Sequence, residues 1–518
     1  MMTVLIHSTR RRFFFILLIS MLISQAFAQS PPGLAIKSHT VYEAAVGSAQ
    51  EQPSWKAWKT EIEIPGTKQT VEDLTAASYF KEEIYTLLNQ LDDMDRGWAD
   101  NEGGDFDLNQ TSQPPQTSPT PPTEPEHPDL LDGTMSVEGD LADDNAPQTS
   151  FFRRQTMLDR WFAWKRKVQE NHGFNFGGSW GVLWQNFTNA RNGQPNAIGS
   201  KLTLNFSYQL LNRRKPNALT FDLAVEDRRP LGTNLPPLQG GIGAGSAVPT
   251  AATWGVFDHI GISQAYLRQS LAANRFQWTI GKIFAPNYVD AYPFFDDNRQ
   301  FLSQQFSTSP TMLSPLRGFG WVVAAFPTNR SVYLKSGMFT THSDNVGSTI
   351  SDFFSKNEHF YSFEVGSSGL ARTPTPIHGR GPMDANNIHL TWWYRNAISD
   401  GTPRTYGLAF NANRMAGSQV MWFVRSGWSV GYLANWALSG GLGWRPPKTT
   451  SDLFGTGFGW TRLAGPVLRS QYTWEAFYRF HVTTNFALTP DFQLVIHPSL
   501  NPNVDTIWVT SLRARLTF

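Results

Sequence analysis

QYTWEAFYRFHVTTNFALTPDFQLVIHPSLNPNVDTIWVTSLRARLTF, residues 471–518, decides the fold. Along an extended backbone side chains alternate sides, so Trp508, Thr510, Leu512, Ala514, Leu516 and Phe518 share one face, and Ser511, Arg513, Arg515 and Thr517 the other. The same period sets Tyr472, Trp474, Ala476, Tyr478, Phe480 and Val482 against Thr473, Glu475, Phe477, Arg479, His481 and Thr483. A third run sets Phe492, Leu494 and Ile496 against Gln493, Val495 and His497. Neighbouring strands with one apolar, aromatic face and one charged face have two homes. In a soluble sandwich the apolar face is the core, and in a bilayer it meets acyl chains while the charged face lines a wet lumen.

Working outward, the whole chain has 518 residues, 14% of them aromatic, with 19 Trp, 42 Gly, 33 Pro and no Cys. That mixture suits many strands joined by turns. Lack of cysteine excludes a disulfide framework, Cys-ligated zinc and a thiol nucleophile. No internal apolar run reaches the length of a helical span, a test that an alternating barrel strand evades. The histidines show no paired metal spacing, and Gly241-Ile242-Gly243-Ala244-Gly245, with neither strand before it nor helix after it, reads as a flexible surface loop rather than a dinucleotide fingerprint. Neither a cofactor nor a metal is expected.

The N-terminal part is different material. Arg10-Arg11-Arg12, a short apolar run and Ala26-Phe27-Ala28 predict a signal peptide over 1–28. Residues 29–150 read as an acidic, Pro-rich, mostly disordered periplasmic extension, with a short helical pattern at 71–91. From 91 to 150 there are fifteen Asp and Glu against one basic residue, Arg96, which leaves 42 basic and 27 acidic residues elsewhere. The acidic extension is therefore expected to lean on a basic body. Residues 151–172 read as a basic amphipathic helix, with Met157, Trp161, Trp164 and Val168 on one side and Arg153, Arg154, Arg160, Lys165, Arg166 and Lys167 around the rest. It is placed at the membrane surface or docked at the barrel mouth, and nothing beyond its charge speaks for nucleic acid.

Residues 173–518 carry the alternation, with strands predicted near 174–187, 200–211, 217–228, 256–269, 274–284, 318–326, 331–340, 359–367, 386–396, 403–414, 417–425, 428–438, 455–464, 471–484, 490–497 and 506–518. Sixteen is the even number that keeps both ends of a bacterial barrel on the periplasmic side. Long and short connections alternate until 368–385 and 439–454, which would be long on the short-turn side. Parity directs Asp222, Glu226, Glu364, Glu475, Arg479, His481, Arg513 and Arg515 to the lumen.

The C-terminal stretch, with its Glu- and Tyr-bearing strand, Thr-Pro-Asp turn and final strand closing on Phe, resembles the carbohydrate-selective porins of OprB type. So do IGKIFAPNYVDAYPFFDDNRQFLSQQFSTSPTMLSPLRGFGWVV, residues 280–323, and the opening strand GGSWGVLWQNFTNA at 177–190. The resemblance spans roughly 151–518 and implies an all-β transmembrane antiparallel barrel of about 16 strands in the outer membrane of a Gram-negative bacterium. It implies passive diffusion of small sugars, with lipid and lipopolysaccharide outside and assembly machinery reading the C-terminal strand.

Loop 285–317 offers Asp290, Asp296, Asp297, Asn298, Arg299 and Arg317 for hydroxyls, and Tyr288, Tyr292, Phe294, Phe295 and Phe301 for stacking. With Glu475, Arg479, Arg513 and Arg515 these are the expected sugar contacts if the loop folds inward. The other reading is an outward loop whose aromatics pack among themselves. Two further functions stay open: a hydrolase using Ser429 of Gly427-Trp428-Ser429-Val430-Gly431, and a structural protein tethered to a cell-wall component through 29–150.

Overall fold

A computed structural model describes residues 127–145, 148, 150–151, 158–213, 215, 217–327, 331–368, 386–417, 419–446, 451–465 and 468–518. The expected signal peptide at 1–28, the helical pattern at 71–91, and Met157, Arg153 and Arg154 of the basic helix lie outside these residues.

Sixteen antiparallel strands close into a barrel, each bonded to its sequence neighbours and the first to the last. They are β1 Phe174–Phe187, β2 Asn196–Leu211, β3 Leu219–Pro230, β4 Gly261–Leu271, β5 Phe276–Phe284, β6 Arg317–Ala325, β7 Val332–Thr340 and β8 His359–Ser368, followed by β9 Asn387–Arg395, β10 Thr405–Ala416, β11 Val420–Val430, β12 Ala434–Trp444, β13 Leu453–Leu463, β14 Gln471–Thr483, β15 Phe486–Ile496 and β16 Thr506–Thr517. Closure leaves no strand edge, which in hydrocarbon would expose unsatisfied backbone groups at several kcal/mol each. The seam pairs Ser179 with Thr517 and runs to Phe187 with Val509.

The parity read from the sequence holds. Trp508, Leu512 and Leu516 are exposed on the outer face, as are Trp180, Trp392, Trp436, Phe458 and Phe492, whereas Ser511, Arg513 and Thr517 are buried inside. Several boundaries differ from expectation: Thr489-Pro490-Asp491, expected as a turn, lies within β15, and β4 starts at Gly261 instead of near 256. The turn foreseen around Gly427 lies at 431–433, where Gly431 takes φ 80°, so β11 and β12 are both displaced and 445–452 becomes a short connection. The connection between β8 and β9 stays long, and its residues 369–385 are outside those described.

Helices are few: α1 Val137–Asn145, α2 Asp159–His172, α3 Pro237–Ala244, α4 Gln304–Ser307 and α5 Ile350–Ser355. In α2, Trp161 and Trp164 meet Phe176 of β1 edge-on at 5.8 and 5.6 Å. The helix is docked, by contacts to β1 and by Lys165, whose Nζ donates to the Phe518 carbonyl at 3.3 Å. The Gly241–Gly245 run, expected as a flexible surface loop, ends the packed helix α3. A Cβ on Gly241 would lie 2.2 Å from Thr250 Oγ1, so glycine there permits a close approach.

The interior, expected as a wet lumen narrowed by one inward loop, holds more folded chain than that loop alone. Inward side chains on seven strands, among them Asp222, Gln277, Thr391, Asn411, Thr461, Glu475 and Gln493, are 0–1% exposed.

Candidate functional site

Two loops from the long-loop end fold inward and are fastened to each other. Residues 231–260 and 285–316 meet through Ala252 N to Leu302 O at 2.9 Å, Gln304 N to Pro249 O at 2.9 Å, and Thr253 N to the Asp297 carboxylate at 2.6 Å. The wall then holds the second loop at several points, among them the following three. Glu475 on β14 accepts from Leu302 N at 2.5 Å and Ser303 N at 3.0 Å. Arg513 on β16 donates Nη1 to the carbonyls of Asp297 at 2.7 Å and Gln300 at 2.9 Å. Arg425 on β11 reaches Asp290 at 2.5 Å and Thr308 O at 2.9 Å, its guanidinium 4.1 Å from the Tyr292 ring.

Room for the loop comes from inward glycines. A Cβ on Gly457 would lie 2.8 Å from the Phe306 ring, one on Gly443 2.4 Å from Phe294, and one on Gly459 2.4 Å from Gln305. Into that recess pack Tyr292, Phe294, Phe295, Phe301 and Phe306, against Phe423 and Phe477. Gly457 and Gly459 fall in a strand the sequence predicts and Gly443 in a connection it predicts, and only the packed loop shows why all three carry no side chain.

The residues expected to contact sugar are thus brought into one interior, and most are engaged by protein. Asp290 pairs with Arg425 and lies 3.1 Å from His389 Nε2. Asp296 pairs with Arg299, and Arg317 reaches Glu226 at 3.3 Å while facing Phe284 at 4.6 Å. Arg479 Nη groups approach the Arg299 and Ser451 carbonyls at 3.5 Å. Tyr292 and Phe295 are buried in the aromatic recess, Tyr292 donating its hydroxyl to the Phe306 carbonyl. Asn298 and Lys201 face each other at 2.7 Å, with the Lys201 ammonium 5.0 Å from the Trp254 ring. Lys201, Arg425 and Trp254 were not among the expected site residues. Strand parity would have found the first two, and Trp254 sits in a loop where no periodicity applies.

A second body of chain occupies the rest of the interior. The unordered extension expected through residue 150 does not describe 127–145, which lie against the inner wall of the barrel. Leu130, Leu131, Val137 and Leu141 join a buried cluster with Tyr266, Tyr288, Phe326 and Tyr333. Arg268 on β4 pairs with both Asp129 and Glu138. Arg299 meets Asp140 at 2.7 Å and Asp144 at 2.9 Å, and Arg515 grips Asp144 through two bonds of 2.8 Å. A segment too polar to form its own core is ordered here by cations it finds on the wall and the inward loop. The expected attraction between acidic extension and basic body is realised inside the barrel.

Burial shapes the acidity of this segment. It pushes Asp132 up to about 7, with nearby Asp143, Asp222 and Asp140 adding to the rise and Ser136 opposing it. It pushes Asp140 to about 6, opposed by Arg299 and Arg515 and aided by Asp296 and Asp144. Burial also works against Asp144, but Arg515 and Arg299 outweigh it and hold that carboxyl below its ordinary value. Raised values mean that the docked segment binds protons more tightly than a solvated one. Docking is then strongest in acid and weakens as pH rises through 6 and 7, whereas Asp144 contributes throughout that window. Amide exchange across 130–141, corrected for intrinsic rates, is expected to be slowed roughly tenfold or more at pH 5.5 relative to pH 8.5. Equal protection at both values would contradict these assignments.

What remains open is small and polar. One cavity is lined by Asp143, Asp144, Asn298, Arg299, Arg479, His481, Asn485, Thr489 and Arg515 among others. A second, smaller one is bounded by Ser179, Gly181, Lys201, Trp254, Asn298, Arg513 and Arg515. The two share Asn298 and Arg515. Cationic donors beside an indole face can bind hydroxyls and weakly polar C–H surfaces. Ser429 offers no strand-to-helix elbow: it lies within β11 and donates its hydroxyl to Ala434 O at 2.7 Å. Among the described residues no cluster of three or more His, Asp or Glu side chains is arranged to hold a metal ion.

Residues 448–518 match the family described as "Carbohydrate-selective porin, OprB family". The barrel is similar to the high-pH structure of Pseudomonas putida OprB, at a TM-score of 0.52 and 14% identity, covering 69% of this chain and 97% of that one. The low-pH structure of the same protein matches at a TM-score of 0.43 and 12% identity, covering 71% and 100%. No curated protein matches the chain. The chain is thus a closed sixteen-stranded barrel with an apolar outer face and the fold of a porin, and its last strands, residues 448–518, match the OprB family.

Proposed function

We propose that the barrel passes small sugars by passive diffusion and that the pocket between Lys201, Asn298, Arg513, Arg515 and Trp254 is where they are read. One observation carries this reading. Arg513, 1% exposed, spends Nη1 on two loop carbonyls while its Nη2 has no protein acceptor among the described residues, and it lines that pocket opposite an indole. A sugar supplies acceptor hydroxyls for the first group and a C–H face for the second. Side chains tied into the loop, including Asp290, Asp296, Asp297, Tyr292, Phe295, Arg317 and Glu475, set the width of the passage, and Arg299 and Arg479 continue its polar wall.

Weak binding at such a point selects without trapping. Liposome swelling with monosaccharides against amino acids and amides of similar size tests this. Sugars are expected to enter faster, and Trp254→Ala to reduce that preference by roughly two- to tenfold, as expected for loss of an aromatic contact. Equal entry of sugars and non-sugars in the wild type, or an unchanged ratio in Trp254→Ala, would overturn the sugar reading.

A further inference from the structure

We propose that residues 127–145 are a detachable plug, and that the barrel conducts appreciably only when this segment withdraws from the lumen through the short-turn end. The inference rests on the porin reading, and it starts from topology. His127 enters beside the β4–β5 turn, where Asn274 Nδ2 donates to its carbonyl at 2.9 Å and its ring stacks on Phe326 at 4.3 Å. Asn145 leaves beside the start of β1, bonded to Asn175 at 3.0 Å and to Lys165 Nζ at 2.8 Å. Between these points the chain rises to Met135, whose N donates to Asn287 at 3.2 Å just beyond the far end of β5. Entry and exit share one end of the barrel. A bend inserted this way leaves as a unit, with no threading past the inward loops.

The polar fastenings are of a kind that water replaces. Among the described residues the segment joins no β-ladder; its backbone is met by wall side chains, as in Leu130 N to Gln277 at 2.8 Å and Val137 N to the Tyr266 hydroxyl at 3.1 Å. Its carboxylates stand against Arg268, Arg299 and Arg515, groups that are costly to keep dry unless paired and are well solvated once the lumen is wet. The polar groups are therefore satisfied in both states, while burial of Leu130, Leu131, Val137 and Leu141 makes the docked state the favoured one. That is the condition for a two-state element rather than a permanent core.

Planar-bilayer conductance and liposome swelling of the full-length chain test this. Deleting 127–145, or combining Asp129→Asn with Asp144→Asn, is expected to raise conductance at least about tenfold, because a largely plugged population becomes a largely open one. The chain has no native cysteine, so Asp140→Cys with Asn205→Cys, joined by a short reducible bis-thiol crosslinker, staples the inserted part of the segment to the middle of β2, where the native side chains meet at 3.1 Å. Crosslinked, it should hold conductance at the closed level, and reduction should raise it. This second arm decides the question if the deletion fails to fold.

If the stapled and reduced forms conduct alike, the path runs beside the segment and the plug is overturned with the porin reading intact. If the unplugged variant passes ions without preferring sugars, the sugar reading falls and the plug stands. If no folded variant conducts, both fall.

Discussion

Glu475→Ala is expected to speed amide exchange in residues 300–308 by on the order of 100-fold while leaving the barrel strands protected. The reason is the pair of bonds from Leu302 N and Ser303 N to one carboxylate that is itself 0% exposed. Removing it leaves two buried donors without an acceptor, at about 1–3 kcal/mol each, and the loop escapes most of that cost by lifting off the wall. Glu475→Gln keeps one acceptor oxygen and should fall between wild type and alanine. Swelling should follow the same order, with larger oligosaccharides entering faster and discrimination among small solutes declining. A variant of wild-type protection in 300–308 would show that the loop is held by its aromatics alone.

The aromatic contribution is probed from the other side of the recess by Gly457→Leu. The new Cβ alone would lie 2.8 Å from the ring of Phe306, a residue 0% exposed, and a leucine must displace that ring entirely. Overpacking costs about 1–3 kcal/mol, and partial exposure of the phenylalanine adds about 1.5–3 kcal/mol. Dislodgement of α4 is therefore expected, with exchange at 304–308 faster by roughly 100-fold or more. The ladder of β13 to its neighbours is untouched, because the substitution points into the lumen. Phe458→Leu, one residue along and facing lipid, is the control and should change neither exchange nor swelling. If Gly457→Leu behaves like that control, the glycine recess does not seat the loop.

Much of this fold is legible in the chain because a bilayer imposes its demand residue by residue. Each outward position of β14, β15 and β16 must meet lipid, so the period of two survives from Tyr472 to Leu516 without help from distant contacts. The β11–β12 turn was harder to place. Gly427 sits mid-strand, where its missing side chain clears Thr311 of the inward loop, and in sequence that spacing looks like a turn.

The inward fold of 285–317 could be expected from its mixture of charge and aromatics, but its anchors could not, since Glu475 lies 173 positions from Leu302. Residues 127–145 mark the limit of local reading. Their composition argues against order, and the cations that order them stand as far as 371 positions away. Only closure of the barrel brings the two together.

That separation also fixes a sequence of events during assembly. Lys165 bonds the carbonyl of Phe518 across 353 positions, and it bonds Asn145 at the foot of the inserted bend. Part of the chain made early therefore cannot reach its final place until the last residue has arrived. Contacts of such span repay their chain-entropy cost only late, after the neighbouring hairpins have formed. The Lys165 contact therefore forms with the seam between β1 and β16, and the foot of the inserted bend is fixed only where the barrel closes on itself.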